Sequence, residues 1–313
     1  MPLPLLAGIE LGGTKCVLTL ATGPEDIRAQ ARVPTREPGH TLAAVAAVLE
    51  GWRDLHGAPA ALGIASFGPL DLDPRSGTFG HVLDSAKPGW RGIDLIGLLG
   101  VDRRLPIGID TDVNGAALAE GRWGAARGLQ DFAYVTVGTG VGVGLVVGGR
   151  PVRGFSHAEL GHVRVGRAAG DGWPGTCPFH GDCVEGLASG PAIAARAGRP
   201  AAELPPDHRA WALVAHTLGA LAHTLVFATA PRRILIGGGV ADGRPALLAA
   251  IRRELLASAG DYMNLGRLAG GVDALIAAPA LGAQAGPLGA IALAADALEA
   301  ARTPALVRQE MHG

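Results

Sequence analysis

Residues 5–20 read LLAGIELGGTKCVLTL: an apolar run, a glycine turn and a second apolar run. This pattern predicts two β-strands that are joined directly, without a helix between them. Glycine lets main-chain N–H groups approach an oxyanion closely, and Thr14 and Lys15 add donors beside Gly12 and Gly13. The turn is neither a P-loop nor a dinucleotide fingerprint, because both of those glycine spacings are absent. Taken alone, it also fits a plain β-hairpin.

The same pattern returns at residues 132–147, FAYVTVGTGVGVGLVV. Its turn is Gly138-Thr139-Gly140, so the chain carries a weak internal repeat of strand, glycine turn and strand. Two such turns, one of them with a lysine, favour a pair of phosphate cradles over two chance hairpins. A third glycine run, Gly237-Gly238-Gly239, follows an apolar strand and precedes a helix, which fits close approach to a nucleotide.

Strands and helices alternate along the rest of the chain, and this alternation predicts α/β layers. Helices are predicted over residues 41–52, 114–120, 244–257 and 289–301, and further strands over residues 61–66, 106–110 and 233–236.

The composition indicates a chain of 313 residues with two domains, because 48% hydrophobic content suffices for two cores. A formal net charge of -1 indicates no nucleic acid and no anionic membrane as a partner. No basic, apolar leader opens the chain, so we expect a cytoplasmic protein. We interpret the apolar stretch 213–230 as a buried helix, since His216 and Thr217 interrupt it. Cys16, in an apolar run, is predicted to be a buried small side chain.

Asp112 lies between a predicted strand and a predicted helix, where open α/β sheets bind their ligands. A carboxylate there can take a proton from a substrate hydroxyl. The alternative is a cap for the helix N-terminus, a role that also suits Asp110, Thr111 and Asn114. From these residues alone, the capping role is favoured.

Residues 175–183, GTCPFHGDC, place two of the three cysteines three residues either side of a histidine. A second histidine upstream completes a Cys2His2 set that suits a closed, tetrahedral and therefore structural zinc site. The four predicted ligands are His162, Cys177, His180 and Cys183. His157 is the alternative to His162 as the fourth ligand.

Together these residues resemble the ROK family of bacterial sugar kinases. The matching segments span nearly the whole chain, at residues 10–15, 63–69, 110–120, 138–140, 159–162, 175–183, 236–240 and 281–290. The commonest family form of the zinc segment has three cysteines, whereas Cys-x-x-His-x-x-Cys resembles the fructokinase branch. DTDVNG at residues 110–115 and PGWR at residues 88–91 resemble the same branch.

The resemblance implies an actin-like, hexokinase-type (ribonuclease H-like) α/β fold of two domains with a cleft between them. The small N-terminal domain is expected at residues 1–115 plus about 290–313, and the large domain, with the zinc loop, at residues 116–289. The implied reaction transfers the γ-phosphoryl group of Mg–ATP to the 6-hydroxyl of D-fructose. The implied assembly is a homodimer.

The resemblance also implies roles for individual residues. Asp112 matches the catalytic base, which reverses the preference for a cap. The implied substrate-binding residues are Gly68, Thr111, Asp112, Glu159, His162 and Glu185. The implied nucleotide-binding residues are Glu10, Gly12, Gly13, Thr14, Lys15, Gly138, Thr139, Gly140, Gly237, Gly238 and Gly239. The implied cofactors are ATP, Mg2+ and a structural Zn2+.

Two departures from the family pattern bear on the chemistry. Family members often have Asp in place of Glu10, near the water shell of the Mg–phosphate group, and Glu retains the charge. Glucose kinases often have Asn in place of Thr111, which argues against a strict glucose preference. The alternatives are a glucokinase, a mannose or N-acetylhexosamine kinase, and a sugar-responsive regulator. The regulator is disfavoured because the first strand begins by Leu5, without room for an N-terminal DNA-binding module.

Overall fold

The computed structural model describes residues 3–85, 87–102, 104–260, 262–267 and 270–310. The chain forms two compact units, which are described separately below. Unit 1 comprises Met1–Trp123, Arg153–His157 and Ala283–Gly313, and unit 2 comprises Gly124–Val152 and Ala158–Gly282.

Unit 1 is built on a five-stranded sheet of order β3-β2-β1-β4-β5. Its strands are β1 (Leu6–Leu11), β2 (Lys15–Gly23), β3 (Asp26–Pro34), β4 (Ala61–Ser66) and β5 (Ile107–Thr111). β1, β2 and β3 form an antiparallel meander, whereas β4 and β5 run parallel to β1. The first glycine turn joins β1 to β2, as the sequence predicts.

Unit 2 contains a second five-stranded sheet, of order β10-β9-β6-β7-β8. Its strands are β6 (Phe132–Val137), β7 (Val141–Val147), β8 (Arg150–Pro151), β9 (Arg233–Gly237) and β10 (Ile276–Ala277). β6, β7 and β8 pair antiparallel, and β9 and β10 run parallel to β6. The order and the strand directions therefore repeat those of unit 1, which accounts for the repeated sequence pattern. The predicted α/β class is confirmed.

The described residues form nine α-helices. They are α1 (Pro38–His56), α2 (Leu95–Leu98), α3 (Asp112–Trp123), α4 (Val184–Ala188), α5 (Gly190–Ala197), α6 (Ala210–Thr229), α7 (Pro245–Ala259), α8 (Gly271–Leu275) and α9 (Ala285–Glu310). α1 begins before the predicted residue 41, because the Glu37 carboxylate accepts the N–H groups of Gly39 and His40 and Pro38 occupies the first turn.

A row of three glycines lets α9 lie directly on the first sheet. Gly8, Gly63 and Gly108 stand in register on β1, β4 and β5. A Cβ at Gly63 would overlap the carbonyl oxygen of Ala290, and a Cβ at Gly108 would overlap that of Leu293. Only the missing side chains leave room for the helix backbone, so this row fixes the packing of α9 in unit 1.

The core of unit 2 lies around α6, which packs against α7 and the second sheet. Among the described residues, α6 alone is long and apolar enough to cross a membrane by length and composition, and 50% of its most apolar window is buried inside the protein. The residues Leu218, Leu221 and Leu225 are fully buried, with 1% of their surface exposed. The helix thus belongs to the hydrophobic core of unit 2.

Candidate active site

Three of the predicted site positions in unit 1 follow neighbouring parallel strands. Gly12 follows β1, Gly68 lies two residues beyond β4, and Asp112 follows β5. Because these strands run parallel and in register, their carboxyl ends share one edge of the sheet. Ligands of open α/β sheets bind at such edges. Gly68 is joined to Pro69 by a cis peptide bond.

The glycine turn of unit 1 is anchored at its base and open at its tip. The N–H of Gly12 donates to the carbonyl of Lys15 at 3.1 Å, and the hydroxyl of Thr35 donates to the carbonyl of Gly12 at 2.7 Å. Gly13 and Thr14 at the tip are exposed. A tip with free main-chain donors on a fixed base is the arrangement that binds a phosphate group.

Both lysines of the chain lie at this turn, one within it and one in contact with it. Lys15 closes it, and the ammonium of Lys87 donates to the carbonyl of Gly13 at 2.5 Å. All other basic residues of the 27 are arginines. The turn therefore carries two compact, strongly hydrated charges, which suit flexible contact with phosphate oxygens.

Asp112 is the first residue of α3, but it is not the cap of that helix. The hydroxyl of Thr111 accepts the N–H of Asn114 at 3.2 Å and fills the capping role. The Asp112 carboxylate accepts the N–H of Val113 at 2.8 Å and also its own main-chain N–H. Its two oxygens carry about four lone-pair sites, so the carboxylate has capacity left to accept a substrate proton.

Two neighbouring carboxyl groups of unit 1 have raised pKa values. Burial raises the pKa of Asp112 to about 6, against the lowering effect of the Val113 N–H. The pKa of Glu10 is raised to about 7. Burial is the main cause, the Asp112 charge adds to it, and the charge of Lys15 acts in the opposite direction. A pKa near the working pH suits a general base.

Glu10 lies where it can serve a hydrated cation. Its carboxylate occupies the space that a Cβ at Gly286 would take, at the start of α9. Glu10 and Asp112 are close enough for their charges to interact. Hard cations such as Mg2+ favour carboxylate oxygens and retain most of their waters. The donor set therefore fits Mg2+ with a water shell.

In unit 2, two glycine turns lie side by side at the carboxyl ends of β6 and β9. Gly138 donates to the carbonyl of Gly140 at 2.8 Å, and Thr139 at the tip is exposed. Gly238 has a φ of 91°, and a Cβ there would lie 2.7 Å from the nitrogen of Val137. Only glycine permits this approach, which brings the run at 237–239 against the end of β6.

The four predicted zinc ligands converge in unit 2, and their ligand atoms all lie within 4.8 Å of one another. The Nδ1 atom of His162 lies 3.7 Å from Sγ of Cys177 and 3.6 Å from Sγ of Cys183, and Nδ1 of His180 lies 3.6 Å from Sγ of Cys177. A tetrahedral centre with Zn–S of about 2.3 Å and Zn–N of about 2.0 Å separates sulfur from nitrogen by about 3.6 Å. The geometry thus fits zinc.

The alternative ligand, His157, is engaged elsewhere. It belongs to unit 1, where its Nε2 atom accepts the N–H of Leu70 at 3.0 Å. The pKa of the Cys183 thiol is raised to about 11. Burial is the main cause, the N–H of Gly186 acts in the opposite direction, and the adjacent Cys177 adds to the increase. A thiolate at Cys183 therefore requires a cation beside it, and zinc would supply that charge.

Arginines brace the zinc loop from outside. Asp182, between His180 and Cys183, accepts from Arg164 at 3.2 Å and from Arg167 at 3.0 Å. Arg167 also donates to the carbonyl of Trp173 at 2.7 Å. These bonds tie both ends of the loop together without the help of a metal ion.

The zinc loop leads directly to Glu185. Cys183 is the N-cap of α4, and Glu185 lies in the first turn of that helix. The Oε2 atom of Glu185 accepts the N–H of Val141 at 3.1 Å, just after the glycine turn of unit 2. One carboxylate oxygen thus holds the start of β7. Glu185 joins the zinc loop to the glycine turn.

Glu159 immediately precedes a short 3-10 helix, Leu160–His162, which ends at His162 and packs against β7. A Cβ at Gly161 would overlap the carbonyl oxygen of Val141, so glycine is required for this approach. The Glu159 residue is exposed. Because Nδ1 of His162 faces the sulfur atoms, its Nε2 edge is turned away from the metal site.

The structure thus distributes the predicted residues between its two units. Unit 1 holds Glu10, Gly12, Gly13, Thr14, Lys15, Gly68, Thr111 and Asp112; unit 2 holds Gly138, Thr139, Gly140, Glu159, His162, Cys177, His180, Cys183, Glu185, Gly237, Gly238 and Gly239. Sequence reasoning missed three bonds of these groups: Lys87 to Gly13, Arg153 to Asp110 and Glu185 to Val141. The rarity of lysine is the one signal in the sequence that points to Lys87.

Comparison with known proteins agrees with this arrangement. A sequence profile of the ROK family matches residues 6–297. The fructokinase of Zymomonas mobilis is 40% identical over 292 residues, which cover 91% of this chain and 95% of that protein. The solved ROK hexokinase of Thermus thermophilus is 31% identical with a TM-score of 0.73, and covers 94% of this chain and 99% of its own. A ROK glucokinase of Streptomyces griseus, solved with glucose and AMPPNP, is 28% identical with a TM-score of 0.72, at 93% and 99% coverage.

Proposed function

Because this chain belongs to the ROK family, we propose that it is an ATP-dependent hexose kinase that phosphorylates the 6-hydroxyl of D-fructose. The observation that carries the reaction type is the Asp112 carboxylate, which lies at the carboxyl end of β5, is not used as a helix cap and has a raised pKa. The higher identity to a fructokinase, 40%, than to a glucokinase, 28%, supports fructose as the sugar.

Asp112 would orient the sugar 6-hydroxyl and accept its proton as the γ-phosphoryl group is attacked. Phosphoryl transfer asks a protein mainly for positioning and for neutralisation of charge. Proton acceptance by a positioned base contributes about 10²- to 10⁴-fold to such rates. Asp112 is ionised above its pKa of about 6, so it can act as a base at neutral pH.

The glycine turns would bind the phosphates of ATP through main-chain N–H groups. In unit 1 the turn at Gly12 and Gly13 carries the ammonium groups of Lys15 and Lys87. Glu10 would hold the water shell of Mg2+, which supplies positive charge to the phosphates when it is bound. The adenosine side would lie at Gly237, Gly238 and Gly239.

The sugar hydroxyls would be bound by Glu159, His162 and Glu185, with Gly68 and Thr111 as further contacts. The zinc ligands His162, Cys177, His180 and Cys183 would fix the loop that presents these groups, and the metal would take no part in the reaction. The Thr111 hydroxyl already accepts the N–H of Asn114. Thr111 also offers no amide to a sugar hydroxyl, which supports a preference for a sugar other than glucose.

An ADP-release assay over a panel of sugars tests the proposal. We expect the highest kcat/KM with D-fructose, and a lower value with mannose, glucose and N-acetylhexosamines. Asp112→Asn should retain sugar binding and lose about 10²- to 10⁴-fold in kcat. Asp102→Asn, an exposed surface aspartate of the same unit, serves as the matched control.

The panel also has outcomes that contradict the proposal. A preference for glucose or mannose would replace the substrate and keep the enzyme class. ADP release with no sugar, or full activity of Asp112→Asn, would refute the assigned mechanism.

We further propose a cytoplasmic homodimer. Light scattering after size exclusion can check the dimer by its mass, compared with 31.6 kDa for one chain.

A further inference from the structure

Asp110 is a fully buried carboxylate that lies two residues before Asp112. Its side chain is 0% exposed. Oδ1 accepts the N–H of Thr111 at 2.7 Å and the side-chain amide of Asn114 at 2.8 Å. Both partners belong to the turn from β5 into α3, the turn that places Asp112. Asp110 therefore holds the main chain before the proposed base, at Thr111, and the side chain of Asn114 after it.

Arg153 neutralises this buried charge from a distant part of the sequence. Its Nη2 atom donates to Oδ2 of Asp110, while the Arg153 side chain remains 41% exposed. A buried carboxylate without a cation is costly, because it has lost its hydration. Three accepted bonds, one of them from the guanidinium, thus give the buried Asp110 carboxylate its partners inside unit 1.

Arg153 is held in place by the short segment that carries it. Arg153–His157 belongs to unit 1, although the residues on either side of it belong to unit 2. Arg153 and His157 face each other across an antiparallel bridge. The buried Nε2 atom of His157 accepts the N–H of Leu70 at 3.0 Å. The segment is thus attached to unit 1 at both ends, by a buried bond at His157 and by a partly exposed one at Arg153.

We propose that Asp110 and Arg153 are positioning residues for the base: Arg153 neutralises Asp110, and Asp110 holds the turn that aims Asp112 at its substrate. Neither side chain needs to touch the sugar or the nucleotide. This inference rests on the proposed kinase function and deepens it, since it assigns a role to two residues outside the ligand contacts.

Arg153→Met tests the proposal because it leaves Asp110 buried without its cation. We expect kcat to fall roughly 10- to 100-fold, the loss that small misplacement of a catalytic group produces. The KM for ATP should stay the same, because the glycine turns are not altered. The acid limb of the kcat–pH profile should move to higher pH, because an unneutralised carboxylate next to Asp112 disfavours its ionisation.

Three further variants separate positioning from a loss of folding. Asp110→Asn combined with Arg153→Met removes both charges, so it should recover part of kcat and return the acid limb to its original pH. Arg153→Lys keeps the charge and should be the mildest change. Arg104→Met removes an exposed arginine that pairs with Asp102 on the surface, and it should change neither kcat nor the pH profile.

The outcomes distinguish this inference from the function on which it rests. If Asp112→Asn abolishes turnover while Arg153→Met retains full kcat and an unshifted profile, the positioning role is wrong and the kinase function stands. If Asp112→Asn is fully active, the proposed base itself fails. A double variant as impaired as Arg153→Met, with the same shifted limb, also overturns the role of the buried charge.

Discussion

The raised pKa of Asp112 suits a general base, but it makes the ionised group unfavourable for the stability of the fold. A raised pKa means that the folded protein binds this proton more tightly than the unfolded chain does. Ionisation of Asp112 therefore reduces the stability of the fold as the pH rises from the usual aspartate range through about 6. Ionisation of Glu10 likewise reduces the stability of the fold as the pH rises through about 7. The negative charges of both carboxyl groups therefore suit a bound ligand or cation and do not stabilise the fold itself.

The pH dependence of turnover follows from Asp112. A general base must be deprotonated, so kcat should fall as the pH drops through about 6. With saturating sugar and Mg–ATP, we expect an acid limb with the slope of a single proton. The residual activity of Asp112→Asn should lack this limb. A profile that stays flat from pH 5.5 to pH 8, in protein shown to be folded, would contradict the assignment.

Individual site residues were predictable where their chemistry is local in sequence. The zinc spacing and the two glycine turns are of this kind. The choice between base and cap at Asp112 was not, because both roles need a carboxylate at the same place. The coordinates show that the Thr111 hydroxyl fills the capping role, and the role of Asp112 as base stays a prediction. Arg153 was missed because 43 residues separate it from Asp110 and arginine is common in this chain.

Among the helices and strands, the glycine row under α9 makes the strongest demand on the sequence. Gly63→Ala would force the backbone of α9 away from β4, because the new Cβ overlaps the carbonyl of Ala290. We expect a loss of about 1–3 kcal/mol or more, measured by urea denaturation. Gly51→Ala, in α1 with no atom near its Cβ, should instead stabilise the protein by about 0.5–1 kcal/mol. Equal effects of the two substitutions would refute the packing argument.

The zinc loop gives a second prediction. Cys183→Ser removes a ligand, so zinc content should fall from near one equivalent to almost none by metal analysis. The KM for the sugar should rise about 10- to 100-fold, because Glu185 follows two residues later in α4. Cys16→Ser changes a buried cysteine outside this set and should retain the metal. Zinc retained in Cys183→Ser would show that the ligand set is wrong.

The strands that sequence reasoning missed have a common physical cause. β3 is largely exposed and alternates polar residues such as Asp26, Arg28 and Gln30, so it lacks the apolar run that marks a buried strand. β8 has two residues, too few for any periodicity. The buried strands β1, β4, β5, β6 and β9 were all predicted, because burial on both faces leaves continuous apolar runs.

Taken over the full chain, the fold is one sheet design used twice. Each sheet pairs its first strand with an antiparallel neighbour through a glycine turn and with a parallel neighbour on the other side. Each therefore presents its glycine turn at the carboxyl ends of parallel strands. Sequence could predict this duplication from the turns, since they are the part that the two halves share.

Ligand binding should stabilise the folded protein by mass action. At 100 times its dissociation constant, a hexose adds about 2.7 kcal/mol, which raises the Tm by several degrees in a protein of this size. We expect D-fructose to shift the Tm of unmodified protein and of Asp112→Asn alike, because the base is not needed for binding. Mannitol at the same concentration controls for osmolyte effects. No shift with any hexose would argue against a sugar site.

The scarcity of lysine has a practical consequence for chemical labelling. This chain offers amine-directed reagents two ε-amino groups: Lys15 lies in the glycine turn of unit 1, and Lys87 donates to the Gly13 carbonyl of that turn. A general acylating reagent thus becomes a selective probe of one loop. Protection of these amines by Mg–ATP, read by peptide mass spectrometry, would report occupancy of that turn without an engineered label.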